Sequence, residues 1–127
     1  MNYEVIFYED DRGRSPVKEF LNELDNSAKK NKQAKQLLAK IALYIEILES
    51  SGTRSGLPYT KHIGNGIWEL RPKDHRIFFF GWDGNKIVLL HSFRKETQKT
   101  PQKEIDLAEI EMKDWLANGK KRLQSDL

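Results

Sequence analysis

Residues 64–95, GNGIWELRPKDHRIFFFGWDGNKIVLLHSFRK, decide the fold. Two turn signals, GNG at 64–66 and DGN at 83–85, lie between apolar runs rich in aromatic and β-branched residues, a pattern typical of hairpins. Pro72 cannot donate a ladder hydrogen bond and is expected to end a strand. We therefore predict strands over 67–71, 75–82 and 86–93, with a fourth over 58–63, as an antiparallel meander.

The residues before this meander predict a strand and a helical hairpin. Residues 3–8 are strand formers that lead into a turn-like Asp-Asp-Arg-Gly. Ser15 followed by Pro16 is typical of a helix start, and apolar residues at helical spacing predict a helix over 16–24. Residues 25–27 then predict a turn and cap before a longer helix, which Gly52 ends.

A C-terminal helix is predicted after the meander. Thr100 and Pro101 repeat the cap-plus-proline pattern, and apolar residues recur at helical spacing from Ile105 to Leu116. Gly119 is expected to end this helix, leaving a polar tail. The order β-α-α-β-β-β-β-α predicts a two-layer α+β fold, and 127 residues fit a single domain spanning 1–127.

Composition excludes several kinds of protein. The chain has no cysteine, which rules out disulfides, thiolate catalysis and cysteine-bound zinc. Its apolar runs are too short to span a bilayer, and its first residues lack the basic segment of a signal peptide. We therefore expect a cytoplasmic protein with no membrane partner.

The charge is unevenly distributed along the chain. The formal net charge is +3, but residues 54–103 hold ten Lys and Arg against four Asp and Glu, and this half is also rich in aromatic residues. The asymmetry fits a polyanionic partner on one side of the fold, and it equally fits a solvated surface with unevenly placed lysines. For the basic run from Lys29 to Lys35, a solvated face is the favoured interpretation.

Charged side chains gather on and after the meander strands. Strand alternation places Glu69 and Arg71 on one face, where both are expected to be exposed, and Arg76 near one end of the next strand. Arg94 and Lys95 follow the last strand. Cations at a sheet end suit phosphate binding, and a carboxylate beside them can accept the proton of a ribose 2′-hydroxyl. The alternative is a surface ion pair without a catalytic role.

The histidines carry less information. His62, His75 and His91 lie on different strands without metal-ligand spacing, so neither a metal nor another cofactor is expected. His91, inside an apolar run, is interpreted as a buried, hydrogen-bonded side chain, whereas His62 and His75 are open to a general-acid role. The aromatic residues over 68–82 are interpreted as core rather than as stacking platforms for RNA bases.

Three segments together resemble a known family. They are KHIGNGIWELR at 61–71, HRIFF at 75–79 and LHSFRKETQKTP at 90–101. Their order and spacing resemble the phage-derived Gp49-like, or HigB, branch of the RelE/ParE toxin superfamily, and with the N-terminal elements the resemblance covers nearly the whole chain. It implies a curved, mostly antiparallel sheet with an N-terminal helical hairpin and a C-terminal helix.

The resemblance implies a toxin of a type II toxin–antitoxin system that cuts mRNA inside the ribosome without a metal and so inhibits translation. It also implies a partner antitoxin, HigA-like and with a helix-turn-helix domain. The catalytic residues implied are Arg71, Arg76, Lys95 and, as the candidate base, Glu69. The implied RNA-binding residues are Lys61, Arg54, Arg94 and Lys99.

Departures from the family pattern leave alternatives open. His75 stands where tyrosine is common, Arg94 replaces a lysine, and Thr100 and Pro101 occupy a neighbourhood where a tyrosine is often found. ParE-like members share the fold but block DNA gyrase and cut no RNA. The basic residues of the implied catalytic set favour the nuclease over this gyrase inhibitor. A third alternative is a nucleic-acid-binding module without toxicity.

Overall fold

The elements of the chain follow the predicted order. The computed structural model describes residues 2–125, so the predicted domain limits at 1 and 127 lie outside the described residues. The predicted α+β class is confirmed. No helix within 2–125 combines the length and apolar character needed to cross a membrane. The elements are β1 Glu4–Phe7, α1 Pro16–Ala28, α2 Lys32–Ser51, a 3₁₀ turn Gly52–Ser55, β2 Thr60–Gly64, β3 Ile67–Leu70, β4 His75–Trp82, β5 Lys86–Arg94 and α3 Gln102–Ser125.

The five described strands form one sheet in the order β1-β5-β4-β3-β2. Strands β2 to β5 are the predicted antiparallel meander, while β1 pairs in parallel with β5, with Glu4 opposite Lys86. The sheet is therefore mixed, with antiparallel pairings predominating. A parallel pair needs a crossover connection, and the helical hairpin of α1 and α2 supplies the first part of it.

Helices cover both faces of the sheet, so the predicted two-layer arrangement is wrong. On one face, here called the hairpin face, Ile41 of α2 belongs to the same apolar cluster as Phe79. On the other, the α3 face, Trp115 of α3 belongs to the same apolar cluster as Phe78. The aromatic run of β4 is buried between these layers, which confirms its interpretation as core.

The first helix is longer than its sequence predicted. α1 runs to Ala28, so the predicted turn at 25–27 is wrong. The turn comes later because Asn31 caps α2: its Oδ1 accepts a hydrogen bond from a first-turn N–H at 3.1 Å. The exposed polar residues of 25–27 are accommodated on the outer side of α1. The predicted helix start at Ser15 and helix end at Gly52 are confirmed.

The last helix passes through Gly119, where the sequence predicted its end. The indole ring of Trp115 lies against this glycine, and a Cβ at position 119 would come closer than 3.0 Å to three ring atoms. Trp115 is 1% exposed and packs edge-on against Tyr8 and Trp82. Gly119 is therefore a packing residue that makes room for a large side chain, and the helix continues to Ser125.

The final turns of α3 are attached to the end of β1. The guanidinium of Arg122 donates two hydrogen bonds to the Asp114 carboxylate, at 2.7 and 2.9 Å, and one to the carbonyl oxygen of Glu9 at 2.8 Å. The Tyr8 hydroxyl donates to the same carboxylate at 2.6 Å. These hydrogen bonds, that of Arg122 first, lower the pKa of Asp114 to about 2.

Replacing Gly119 with alanine is expected to destabilise the fold, although alanine is the better helix former. The added methyl group would displace the buried indole of Trp115, and overpacking of this kind costs about 1–3 kcal/mol. Urea denaturation followed by tryptophan fluorescence measures the change. Gly81→Ala is the control, because no atom lies within 4 Å of the position its Cβ would take. A Gly119→Ala protein as stable as the wild type would contradict this role.

Candidate functional site

Glu69 of β3 is the centre of the predicted charged site. Its side chain is 1% exposed, so the predicted exposure is wrong. The alternation of side chains is as predicted: Glu69 lies opposite Phe78 and faces the same side as Ile67. α3 covers that side of the sheet, however, and this is why the carboxylate is buried. A carboxylate so deeply buried needs charged or hydrogen-bonding partners.

Two arginines supply the opposite charge. The Nε atoms of Arg71 and Arg76 lie 3.3 Å and 3.7 Å from the same oxygen, Oε2 of Glu69. Both are ion pairs without hydrogen-bond geometry, since neither Nε has a hydrogen-bond partner among the described residues. The side chain of Arg71 is 23% exposed and that of Arg76 is 11% exposed. Glu69, Arg71 and Arg76 are called the arginine cluster below.

Arg76 is held by the turn between β3 and β4. Its Nη1 donates to the carbonyl oxygens of Lys73 at 2.9 Å and His75 at 2.7 Å. Burial lowers the pKa of Arg76 below its usual value, and the positive charge of Arg71 lowers it further, while nearby carboxylates oppose the change. Two guanidinium groups face one carboxylate, so Glu69 balances only one of their two positive charges.

Arg94 is the last residue of β5, and Lys95 follows it. Arg94 lies opposite His75, and its Nε forms an ion pair with Oδ2 of Asp74 at 3.0 Å on the hairpin face. The backbone N–H of Lys95 donates to the Asp74 carbonyl at 2.7 Å, which extends the ladder by one residue. The placement of Lys95 beside the arginine cluster, which the sequence indicated, stays a prediction.

The remaining predicted RNA-binding residues are spread over the surface. Lys61 of β2 lies opposite Glu69 and is exposed, so it borders the arginine cluster. Lys99 is exposed in the loop between β5 and α3. Arg54 lies in the 3₁₀ turn and lines a cavity of about 210 Å³ with Tyr3 and two serines. The structure thus brings Lys61 to the cluster and places Arg54 at a separate cavity.

The contact between Thr100 and Glu69 was not predicted from the sequence. Its hydroxyl donates a long hydrogen bond, 3.5 Å, to Oε1 of Glu69. The Thr-Pro pair signals a helix start, and this contact depends on how α3 packs across the sheet. Both oxygens of Glu69 therefore face partners, Oε2 the two arginines and Oε1 this hydroxyl.

A second buried polar group lies on the α3 face. The register of β5 shifts between Leu89 and Ser92, and this bulge turns His91 toward α3. Its Nδ1 lies 2.6 Å from Oε1 of Glu111 and its Nε2 3.1 Å from Oε1 of Glu104. Burial alone would lower the pKa of His91, but the hydrogen bonds and charges of the two glutamates outweigh it and raise the pKa. The prediction of a buried, hydrogen-bonded histidine is confirmed.

The other two histidines lie on the hairpin face. Nδ1 of His75 lies 2.9 Å from Oδ1 of Asp74, and its ring stacks on Phe20 with centroids 5.4 Å apart. His62 packs against Trp68, with ring centroids 4.8 Å apart. This placement does not favour the general-acid role for either. Within residues 2–125, no group of three or more His, Cys, Asp and Glu side chains is arranged to hold a metal ion.

A sequence-family match includes the whole arginine cluster. Residues 19–113, three quarters of the chain, match the family model described as Phage derived protein Gp49-like (DUF891). The chain belongs to the Gp49-like family. This family is part of the RelE/ParE-like toxin superfamily, which confirms the resemblance at the level of family and superfamily. Among curated proteins, none matches the chain at a significant level.

In this Gp49-like protein, His91 is expected to stabilise the fold most at low pH. Its pKa is raised in the folded state, so its contribution is fully present below the unfolded pKa of about 6.5. The contribution is lost as the pH rises through the folded-state pKa. Denaturation of wild type and His91→Gln between about pH 6 and 9 should therefore show a stability difference that shrinks as the pH rises. The exposed His62→Gln is the control, and a pH-independent difference for His91→Gln would contradict the assignment.

Proposed function

We propose that this Gp49-like protein is the toxin of a type II toxin–antitoxin system, of the HigB kind, and that it cuts mRNA on the ribosome. The Gp49-like family is toxin-like, which supports the first part. The observation that supports cleavage is the arginine cluster, in which two guanidinium groups share one buried carboxylate. The proposal places the toxin in the cytoplasm and treats residues 1–127 as one domain.

The arginine cluster lacks one negative charge. Arg71 and Arg76 carry two positive charges against the single carboxylate of Glu69, and Lys61 lies opposite Glu69 on the neighbouring strand. Glu69 therefore leaves an excess of positive charge beside it. An anion that contacts both guanidinium groups would relieve it, and a phosphodiester carries a single negative charge. The backbone of RNA is therefore a suitable ligand.

In the proposed reaction, a ribose 2′-hydroxyl loses its proton and attacks the adjacent phosphorus. The bond from phosphorus to the 5′-oxygen of the next nucleotide breaks, and that oxygen is protonated as it leaves. Negative charge grows meanwhile on the two non-bridging oxygens. Arg71, the more exposed arginine, would contact these oxygens, Arg76 would add a second fixed guanidinium, and Lys95 a mobile ammonium. Fixed cations stabilise the transition state because they need no reorganisation.

We assign Glu69 a positioning role within this site. Its two oxygens face the arginines and Thr100, so a 2′-hydroxyl could reach neither of them without displacing a partner. Its charge instead keeps both guanidinium groups at one end of the sheet. The role of general base, which the sequence indicated for Glu69, stays a prediction.

The proposal includes two macromolecular partners. One is an antitoxin, HigA-like with a helix-turn-helix domain, and membership of a toxin-like family supports it. The other is the ribosome with its mRNA, which the excess of basic residues over 54–103 suits. In this proposal Lys61 and Lys99 bind the RNA backbone near the arginine cluster, and Arg54 and Arg94 bind it elsewhere.

Arg71→Ala should reduce mRNA cleavage about 100- to 1000-fold, the usual loss when one donor to a developing oxyanion is removed. Primer extension after brief induction, with and without translation, measures cleavage, and growth measures toxicity. Arg71→Lys keeps the charge without the planar fork and should retain intermediate activity. Arg14→Ala is the control, because this exposed arginine pairs with Asp10 after β1.

Two outcomes would contradict the proposal. A folded Arg71→Ala protein that still cuts translated mRNA at the wild-type rate would remove Arg71 from the site. Breakage of DNA with intact mRNA on induction of the wild type would identify a gyrase inhibitor of the ParE kind instead.

Glu69→Gln separates a positioning role from a role as base. For a positioning residue, we expect slower cleavage by roughly 100-fold at every pH, with an unchanged shape of the pH–rate profile. Loss of the acidic limb of that profile would instead identify Glu69 as the base. Thr100→Val, which removes only the long hydrogen bond to Glu69, is the control and should cut nearly as fast as the wild type. Melting temperatures establish that each variant is folded.

A further inference from the structure

The surface around the start of α2 carries a groove that the proposed cleavage reaction does not use. A cavity of about 650 Å³ lies between α2 and the β3–β4 turn, and its lining includes Lys73, His75 and Arg94. A second cavity, of about 670 Å³, lies at the turn between α1 and α2. Asn31 and Gln36 line both cavities, so the two adjoin. Together they are called the lysine groove below.

The lysine groove is strongly cationic. Its single carboxylate among the described lining residues is Asp74, which is already paired with Arg94 at 3.0 Å and with His75 at 2.9 Å. Leu37 is the one large apolar residue in that lining, whereas the centres of protein–protein interfaces are apolar. Nucleic-acid interfaces are polar and positively charged. The cations of the groove are Lys29, Lys30, Lys32, Lys35, Lys73 and Arg94.

Two of these lysines stand where they weaken their own helix. Lys32 is the first residue of α2 and Lys35 lies about one turn further on, near the positive end of the helix dipole. The first turn of α2 contains no acidic residue that would offset them. Lys29 and Lys30 differ, because they follow the end of α1, where cations are favourable. Helix stability therefore does not explain Lys32 and Lys35, whereas an anionic ligand does.

The lysine groove and the arginine cluster occupy opposite sides of the same turn. On the α3 face, Arg76 donates to the carbonyl oxygens of Lys73 and His75. On the hairpin face, the same two residues line the groove. An RNA strand whose scissile phosphate contacts the cluster would have to cross this turn to enter the groove. A separate segment of RNA can occupy the groove directly.

We propose that the lysine groove is a second RNA-binding surface, which holds the phosphate backbone of a folded RNA segment distinct from the strand that is cut. This interpretation replaces that of a merely solvated face for the run from Lys29 to Lys35. It requires RNA binding but no cleavage, so it goes beyond the proposed function.

The test removes three charges from the groove in the full chain, and a matched control removes three from α3. Binding of a labelled RNA hairpin is followed by fluorescence anisotropy over a series of salt concentrations, with Arg71→Ala present in both proteins to prevent cutting. Each lost phosphate contact lowers the salt slope by about 0.7–0.9, so the groove variant should lose about 2–3 in slope and the control almost nothing. The groove variant combines Lys29→Gln, Lys32→Gln and Lys35→Gln, and the control combines Lys113→Gln, Lys120→Gln and Lys121→Gln, all exposed lysines.

Two further probes separate the possible results. Measured against the Arg71→Ala protein, a single strand of about four nucleotides, short enough for one site, should lose affinity when Arg76→Ala is added but not when the groove substitutions are added. Equal loss of hairpin affinity in the groove variant and its control would show that affinity depends only on the net charge of the protein, and would overturn the proposal. Unchanged hairpin binding with weakened binding of poly-glutamate would identify an acidic protein as the ligand, and would overturn it as well. None of these results depends on whether the wild type cuts RNA.

Lys32→Glu supplies a readout that a structural lysine would not give. Reversing this charge at the start of α2 should raise the melting temperature, because an acidic residue is favourable there, and should weaken hairpin binding at least as much as Lys32→Gln. A lower melting temperature would show that Lys32 serves the fold, and hairpin binding equal to that of the wild type would show that Lys32 does not contact RNA. Either result would overturn the proposal.

Discussion

Glu69 is buried beneath α3, and this burial depends on the two guanidinium groups beside it. Moving a carboxylate out of water is strongly unfavourable unless charged partners accompany it. Arg71 directly follows β3 and Arg76 lies near the start of β4, so the partners stand on either side of one turn. α3 excludes water from the same face and places Thr100 against the remaining oxygen. The charged cluster, the turn and the packing of α3 are therefore interdependent.

Short-range chemistry was enough to predict most of the elements and part of the site. The turns at 64–66 and 83–85, the cap at Ser15 and the helix end at Gly52 each depend on a few neighbouring residues. The approach of Arg71 to Arg76 follows from strand alternation across a hairpin.

Apart from the position of the turn between α1 and α2, the site and packing features that sequence reasoning missed depend on which surface of α3 meets the sheet. From its position in the strand, Glu69 is expected to be exposed, but a helix covers it. Gly119 is expected to end a helix, but its role is to make room for the indole ring of Trp115. The glutamate partners of His91 lie on α3 as well, and a bulge in β5 directs the histidine to them. Contacts of this kind join residues far apart in the chain, and local patterns do not encode them.

Because β1 pairs in parallel with β5, the sheet cannot be completed until late in the synthesis of the chain. β1 leaves the ribosome first, yet its neighbour in the sheet is the last strand to be made, and α3 emerges later still. Pairing between segments so distant in sequence forms late, because a long loop must close first. A nascent chain therefore lacks the sheet neighbour of β1 until β5 has been synthesised. The cover over Glu69 comes later still, so the arginine cluster acquires its buried carboxylate only after α3 has been synthesised.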